Sequence, residues 1–290
     1  MITLTDIETA RRRIQNRVYL SPCAYTETLS RMTGCRLLLK LENLQMTGSF
    51  KERGALNKML SLTEAQRAAG VIAASAGNHA QGVARAAQVL GSKAIIVMPE
   101  TTPLAKIRGT QELGAQIVLY GSGYDEAFDK AQELQQQHGY TFIHAFDDPL
   151  VMAGQGTIGL ELLEQVPDLD VVIVPIGGGG LIAGIATAIK AQRPEVRLIG
   201  VETARLPAMK TCLGIGQVQT LPAAKTLADG ISVAKVGKHT FPIVRDYVEA
   251  IATVSRFRVL DAIGLIQIVS GVAIAGGPSP RSSENCQALG

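Results

Sequence analysis

The stretch that decides the fold is Val171-Val-Ile-Val-Pro-Ile-Gly-Gly-Gly-Gly-Leu181. Its first part is an uncharged run rich in β-branched residues, which is typical of a strand buried on both faces of a sheet. Its second part places four glycines between that strand and an apolar helical pattern. A strand, a tight glycine turn and a helix in this order indicate one βα unit of an α/β protein.

The glycine turn has the composition of a phosphate-binding loop. Glycine lets the backbone approach an anion closely, and the first N–H groups of the following helix favour negative charge. A flexible linker is a poorer interpretation, because linkers do not join a buried strand to an apolar helix. The pattern G-x-G-x-x-A is also present at Gly178, Gly180 and Ala183. Glu202 follows about twenty residues later, where a dinucleotide fold places its ribose-binding carboxylate. Periodicity alone therefore does not decide between NAD and another phosphate-containing ligand.

Strand and helix patterns alternate on both sides of this unit. Apolar runs predict strands at residues 36–42, 70–74, 93–99, 116–121, 140–146, 171–176 and 196–202. Helical patterns fill the intervals, and this succession predicts mostly parallel sheets covered by helices, with sites at the strand carboxyl ends. Composition breaks near Ser61 and Asp147 predict a discontinuous large, ligand-binding lobe, residues 1–62 and 149–290, and a small lobe, residues 63–148.

The composition excludes several other classes of protein. The chain has 28 Lys and Arg against 25 Asp and Glu, a net charge of +3, and 47% of its residues are hydrophobic. These values exclude a disordered chain and a strongly basic nucleic-acid binder. Aromatic residues make up only 4% and tryptophan is absent, so we expect no stacking platform for single-stranded nucleic acid.

The chain shows no feature of a secreted protein. Its first residues, MITLTDIETARRRI, lack the apolar run of a secretory signal. Of two uncharged stretches long enough to span a membrane, residues 171–189 are interrupted by proline and glycines, and residues 262–280 are left open. The cysteines, at Cys23, Cys35, Cys212 and Cys286, form no C-x-x-C pair and are expected to be reduced. We therefore expect a cytoplasmic protein with no membrane partner.

A second strand-to-helix turn contains a lysine in an unusual position. After the strand predicted at residues 36–42, Ser49 is placed to cap a helix whose first turn contains Lys51. The helix dipole disfavours a cation there, so a functional lysine and a surface lysine paired with Glu52 are both open interpretations. A lysine whose charged form is disfavoured is the better nucleophile and can form a Schiff base with a carbonyl compound.

A third turn, Ser75-Ala-Gly77-Asn78-His79, again joins a strand to a helix. Its backbone N–H groups, with the Ser75 and Asn78 side chains, are able to hold a small carboxylate or a ring hydroxyl. Taken singly, each of its polar residues is more simply explained as a cap or a turn residue.

Together the three turns resemble the pyridoxal-phosphate-dependent threonine dehydratases (threonine ammonia-lyases), with the serine racemases close by. The shared motifs are GSFKERGA from Gly48, SAGNHAQGVA from Ser75 and PIGGGGL from Pro175, with VMPETTPLAKI, FDDP and AGQGTIGLE between them. The resemblance runs from about residue 4 to about residue 266. It implies a two-lobed α/β fold of fold type II, like tryptophan synthase β, with mostly parallel sheets. It also assigns the glycine turn to the phosphate of pyridoxal 5'-phosphate, which leaves an NAD-linked dehydrogenase as the alternative.

The resemblance implies a role for each residue of the turns. Lys51 would form the Schiff base with the cofactor and remove the substrate α-proton, with Phe50 against the cofactor. Asn78 would bond the ring hydroxyl. The phosphate would be held by Gly177, Gly178, Gly179, Gly180 and Leu181. The substrate carboxylate would be bound by Ser75, Gly77, Asn78 and His79. Ser75 would also be a second catalytic residue, on the face of the cofactor opposite Lys51.

The implied reaction is α,β-elimination, which converts L-threonine to 2-oxobutanoate and ammonia, and L-serine to pyruvate. Racemisation of serine or threonine and dehydration of hydroxyaspartate are alternatives. The expected partners are a small amino-acid substrate and further copies of the chain, with no nucleic acid. Residues 203–208 lack the second carboxylate of the racemase metal site, so no metal is expected.

The C-terminal part departs from this resemblance. Arg256-Phe257-Arg258 replaces an acidic segment, and QIVSGVAIAGGPSPRSSENCQALG from Gln267 no longer matches. The family would place there a helix and a last strand ending in Ser-Gly-Gly, whose serine faces the cofactor ring. We expect both the strand and that serine to be missing, through a frameshift near Gln267 or because the chain is a natural short form. An inactive remnant is therefore a third hypothesis.

Overall fold

The computed structural model describes residues 1–256 and the backbone of residues 273–277. It contains a six-stranded sheet of order β1-β2-β10-β7-β8-β9 and a four-stranded sheet of order β5-β4-β3-β6. The strands are β1 (Cys23–Tyr25), β2 (Arg36–Lys40), β3 (Val71–Ala74), β4 (Ala94–Met98), β5 (Gln116–Leu119), β6 (Thr141–Phe142), β7 (Val171–Pro175), β8 (Arg197–Thr203), β9 (Ala250–Val254) and β10 (Ala273–Gly277).

Local chemistry sets the ends of the helices. Thr63 begins α4 with a capping box, Asp148 accepts two N–H bonds at the start of α8, and Gly91 ends α5 in the left-handed conformation. The helices are α1 (Leu4–Ile14), α2 (Glu27–Thr33), α3 (Lys51–Leu60), α4 (Glu64–Ala69), α5 (Asn78–Leu90), α6 (Leu104–Gln111), α7 (Tyr124–His138), α8 (Pro149–Gln165), α9 (Gly180–Gln192), α10 (Ala208–Ile215) and α11 (Thr240–Tyr247). Short 3-10 turns lie at Glu42–Leu44 and Asp229–Ile231.

The four-stranded sheet is parallel throughout, and its central strands β3 and β4 are buried on both faces. Val71 and Ala73 face one hydrophobic core, and Ile72 and Ala74 face another. Continuous apolar runs suit these two strands, because neither of their faces meets water. In the six-stranded sheet β7, β8 and β9 are parallel. The α/β fold with mostly parallel sheets is therefore confirmed.

Most predicted strands are present with shorter ends. The largest difference is the strand predicted at residues 140–146, which is reduced to Thr141–Phe142. Ile143 still donates to the carbonyl oxygen of Ile72 in β3, and the chain then leaves the sheet. The carbonyl oxygens of Ile143 and Ala145 bond His79 in the third turn and Lys51 in the second. Strands β1 and β9 were not predicted, since neither has a long apolar run. The lobe boundaries stay a prediction, although every strand of the four-stranded sheet falls within residues 71–142.

The prediction that the last strand is missing is wrong. Strand β10 lies at the centre of the six-stranded sheet, between β2 and β7, and it runs antiparallel to both. The sequence of β10, AIAGG, contains no serine. Its first residue, Ala273, pairs with Lys40 at the end of β2, and Gly277 pairs with Arg36 at the start. Gly276 and Gly277 therefore lie beside the start of β2, away from its carboxyl end. The rest of the altered segment lies outside the described residues.

Two further expectations concern the state of the cysteines and the presence of membrane-spanning segments. Cys23 and Cys212 are free thiols, as expected, but Cys35 is disulfide-bonded, so the expectation of reduced cysteines is wrong at that position. Within residues 1–256 and 273–277, no helix is both long enough and apolar enough to cross a membrane. Residues 171–189 form β7 and the start of α9, the βα unit expected from their glycines.

Candidate active site

The glycine turn is packed so tightly that its residues have no room for side chains. Gly179 has φ of 96°, in the left-handed region, and precedes α9 as its N-cap. A Cβ on Gly179 would lie 2.8 Å from Thr240 Oγ1, and one on Gly180 would lie 2.7 Å from the carbonyl oxygen of Phe146. A Cβ on Gly178 would overlap the ring of Phe146. The turn thus needs glycine for steric reasons, and it points the free N–H groups of a helix start toward one place.

Lys51 begins α3 and is only partly exposed. Its Nζ donates to the carbonyl oxygen of Ala145 at 2.7 Å and lies 5.3 Å from the centroid of the Phe50 ring. Burial lowers the pKa of this amine to about 8. Roughly a tenth to a fifth of the amine is therefore neutral near physiological pH, far more than for a lysine of ordinary pKa, and the neutral form is the nucleophile.

The structure corrects two interpretations of the turn that contains Lys51. Lys51 does not pair with Glu52, whose carboxylate accepts the N–H of Thr47 at 3.1 Å. Ser49 does not cap α3, because Phe50 takes the N-cap position and makes no side-chain cap bond. The hydroxyl of Ser49 is buried and has no hydrogen-bond partner within the described residues.

The third turn lies beside Lys51. A Cβ on Gly82 of α5 would lie 3.1 Å from the carbonyl oxygen of Lys51, so α5 and α3 meet closely. Ser75 follows β3, and its Oγ accepts the N–H of Gly77 at 3.2 Å. Asn78 is the first residue of α5. No atom lies within 4 Å of the Cβ position of Gly77, so there is open space in front of this turn.

His79 is the buried polar group of this turn, with 3% of its surface exposed. Its Nε2 bonds to the carbonyl oxygen of Ile143 at 2.8 Å, while Nδ1 has no partner in the described chain. Burial and then the charge of Lys51 lower the pKa of His79 to about 3. The ring is therefore neutral. A buried ring nitrogen without a partner is costly in a folded protein, so it is a candidate to bond a ligand.

One segment joins the lysine to the glycine turn, and it was not assigned a role from the sequence. Ala145 accepts the Lys51 amine, and the next residue, Phe146, covers Gly178 and Gly180. The Asp147 carboxylate then accepts the N–H groups of Lys238 and His239, at 2.9 and 2.8 Å. The signal for this segment in the sequence is the motif FDDP, residues 146–149, one of the motifs that carry the family resemblance.

Glu202 is not placed to bind a ribose. Its two carboxylate oxygens accept the N–H groups of Met209 and Lys210 at the start of α10, at 2.7 and 2.9 Å. The residue is also 1% exposed. Glu202 therefore caps a helix, which weakens the NAD alternative. Among the described residues, no group of three or more His, Cys, Asp and Glu side chains could hold a metal ion.

These features fit a phosphorylated carbonyl cofactor. The amine of Lys51 has the lowered pKa that Schiff-base formation favours, and the glycine turn presents backbone donors of the kind that bind phosphate. Ala145 and Phe146 connect the two groups through direct contacts. The site thus combines a candidate covalent anchor with a candidate anion site at the carboxyl ends of the strands, where α/β proteins bind ligands.

The fold and the site are those of an α/β protein with a candidate cofactor site. The family described as pyridoxal-phosphate dependent enzymes matches residues 14–277, and the chain belongs to this family. An L-threonine ammonia-lyase of Thermotoga maritima is 52% identical over 263 residues, which are 91% of this chain. The catabolic L-threonine dehydratase TdcB of Escherichia coli is 43% identical over 267 residues, 92% of this chain and 81% of that protein.

The similarity extends to solved structures. The structure of maize serine racemase has a TM-score of 0.89 and 35% sequence identity, and the match covers 92% of this chain and 81% of that one. The chain spans 66% of the length of the Thermotoga protein and 65% of the L-threonine ammonia-lyase of Geobacter sulfurreducens. The fold of type II and the resemblance to this family are thus confirmed.

Proposed function

We propose that this chain is a pyridoxal-phosphate-dependent threonine ammonia-lyase. The observation that carries the proposal is the amine of Lys51, whose pKa burial lowers to about 8, held next to the segment that covers the glycine turn. Relatives named L-threonine ammonia-lyase and L-threonine dehydratase support the choice of substrate. The overall reaction releases 2-oxobutanoate and ammonia from L-threonine, or pyruvate and ammonia from L-serine.

Each turn has its own task in this proposal. When bound, pyridoxal phosphate would supply an electron sink for the negative charge that develops on the substrate α-carbon. The glycine turn, residues 177–181, would hold the phosphate through backbone N–H groups, Phe50 would pack beside the ring, and Asn78 would bond the ring hydroxyl. The amine of Lys51 would hold the cofactor carbonyl and would serve as the base that takes the α-proton.

The third turn is proposed to receive the substrate carboxylate. The open space at Gly77 lies beside the Ser75 hydroxyl, and the start of α5 supplies N–H groups for an anion. His79 is neutral and its Nε2–H donates to the carbonyl oxygen of Ile143, so Nδ1 is an acceptor. We propose that His79 lines the substrate site, where its unpartnered Nδ1 would accept an N–H or O–H group and not bond the carboxylate itself. Ser75 is the proposed second catalytic residue on the opposite face. Racemisation therefore stays the alternative activity, in line with the structural similarity to maize serine racemase.

The proposal is tested by recording the absorption spectrum of the purified chain with pyridoxal phosphate, before and after threonine is added. We expect a visible Schiff-base band that borohydride removes and that the Lys51→Ala variant does not form. Chiral analysis of the amino acid that remains separates elimination from racemisation. A protein that stays colourless with added cofactor, or that binds a nicotinamide cofactor instead, overturns the proposal.

The remaining expectations are proposals of the same kind. We propose that the chain forms homo-oligomers and is cytoplasmic, and that residues 63–148 form the small lobe. Binding of an amino-acid substrate is supported by the names of the relatives. The hypothesis of an inactive chain is tested by the same spectrum. It rests on β10, which runs antiparallel to β2 and contains no serine to face the cofactor ring.

A further inference from the structure

Arg53 is a fully buried cation two residues after Lys51. Its Nε and Nη2 donate to the two carboxylate oxygens of Glu42, each at 2.8 Å. Its Nη1 and Nη2 donate to the two oxygens of Glu161, at 2.5 and 2.9 Å. The guanidinium thus binds two carboxylates in bidentate geometry, which fixes its orientation as well as its position.

Lys40 balances the charge of this group. Its Nζ donates to Glu161 at 2.5 Å, to the carbonyl oxygen of Ser21 at 2.6 Å and to Gln165 at 2.9 Å. The buried ion cluster of Lys40, Glu42, Arg53 and Glu161 therefore contains two cations and two anions. It ties together the end of β2, the start of α3 and the C-terminal part of α8.

The backbones of α3 and α8 also meet next to this cluster. A Cβ on Gly154 would lie 2.7 Å from the carbonyl oxygen of Arg53, and one on Gly54 would lie 2.7 Å from that of Val151. The side chain of Gln155 accepts the N–H of Gly54 at 3.1 Å. The first turn of α3 is therefore pressed against α8 and cannot slide along it.

Helix α8 also fixes the acceptor of the Lys51 amine. Ala145 lies just before the start of α8, where Asp148 caps the helix and forms an ion pair with Lys58 of α3 at 2.7 Å. Lys51 and Ala145 are thus both held relative to one helix, Lys51 through the ion cluster and Ala145 through the start of α8.

We propose that the buried ion cluster positions the Lys51 amine, with Arg53 as the central positioning residue. Stability alone does not explain four buried charges, because replacing buried ion pairs with apolar groups is often neutral or stabilising. The bidentate contacts of Arg53 hold the backbone of the first turn of α3, and the side chain of Lys51 extends from that same turn. Fixing this backbone restricts the positions that the amine can reach. The importance of that direction rests on the proposed function, in which Lys51 is the catalytic amine.

The test measures Lys51 directly in the protein without cofactor. Trace acetylation with acetic anhydride, from about pH 6 to about pH 11, reports how much neutral amine is present, and peptide mass spectrometry identifies Lys51. In Lys40→Met/Glu161→Gln, which leaves Arg53 and Glu42 as a balanced pair, we expect the midpoint of the Lys51 profile to move up from about 8 toward its ordinary value of 10.5, because a loosened turn admits water. Affinity for pyridoxal phosphate should fall by about tenfold to a hundredfold.

Two further variants complete the experiment. Glu161→Gln alone leaves one excess positive charge in the cluster, which lowers the pKa of Lys51, so its profile should lie below that of the balanced double variant. Ile189→Ala removes a buried side chain near the C-terminal end of α9 and serves as a control of similar stability loss. The proposal is overturned if the folded cluster variants keep the wild-type Lys51 profile, or if Ile189→Ala shifts it equally. A wild-type protein that forms no band with pyridoxal phosphate refutes the proposed function and leaves the acetylation result intact.

Discussion

The ring of Phe146 lies against Gly178, in the space that a side chain at that glycine would occupy. We therefore expect Gly178→Ala to displace either the ring or the turn, at a cost of about 1–3 kcal/mol. Because the turn is the proposed phosphate site, the affinity for pyridoxal phosphate should fall by about tenfold or more. Titration of the visible band with cofactor measures this loss.

The control for this change is Gly123→Ala, since no atom lies within 4 Å of the Cβ position of Gly123. It should bind the cofactor as the wild type does. Adding Phe146→Ala to Gly178→Ala frees the space and should restore part of the affinity. If Gly178→Ala binds with unchanged affinity, the contact does not shape the site.

The lowered pKa of Lys51 makes stability depend on pH. Burial disfavours the charged amine in the folded state, so the unfolded chain binds more protons between about pH 8 and pH 10.5. The folded protein should therefore gain stability relative to Lys51→Met as the pH rises through this window. At pH 7 we expect Lys51→Met to be the more stable protein by roughly 1–3 kcal/mol, and urea unfolding without cofactor measures the difference. Lys225→Met, at an exposed lysine, is the matched control. A difference that is flat with pH would contradict the expectation.

An ion pair joins the part of the chain around the four-stranded sheet to a segment that lies against the glycine turn. Lys106 of α6 bonds to Asp229 at 2.6 Å, and the Cα of Ile231 lies 3.3 Å from the Cβ position of Gly177. Both charges are partly exposed, so a double-mutant cycle with Lys106→Ala and Asp229→Asn should give a coupling of about 0.2–1 kcal/mol. The coupling should shrink in high salt. A coupling that does not change with salt would show that the pair acts through packing.

The central place of β10 predicts a large effect of proline. Ala275 pairs with Leu38 on one side and with Val172 on the other, so proline there removes a ladder hydrogen bond from the middle of the sheet. We expect Ala275→Pro to cost about 3 kcal/mol or more in the free energy of unfolding, while Ala275→Ser costs far less. Urea unfolding of the two variants is the measurement. Equal midpoints for both would show that β10 is not a central strand in solution.

Much of the fold and the anchor of the site follow from local sequence. The strand at residues 171–175 and the helix from Gly180 are encoded by a change of composition within a few residues, and the position of Lys51 in its helix was readable in the same way. Such features depend on neighbours in the chain, so short-range patterns suffice to predict them.

The parts that were missed depend on partners far away in the chain. Ala145 acts through a backbone carbonyl, which every residue possesses, and Arg53 meets Glu161 across 108 positions. Neither contact leaves a pattern along the sequence. Strand β10 was predicted to be missing, because AIAGG is a short run of small residues whose pairing depends on β2 and β7, far away in the chain.

The place of β10 has a consequence for how the molecule is made. Its partner β2 lies more than two hundred positions earlier in the chain, since Lys40 pairs with Ala273. While the ribosome is still synthesising the intervening residues, β2 and β7 each have an unpaired side that can join other chains. Closing such a distant pairing is slow. Yield in cells should therefore depend on chaperones that shield these two strands until synthesis reaches residue 277.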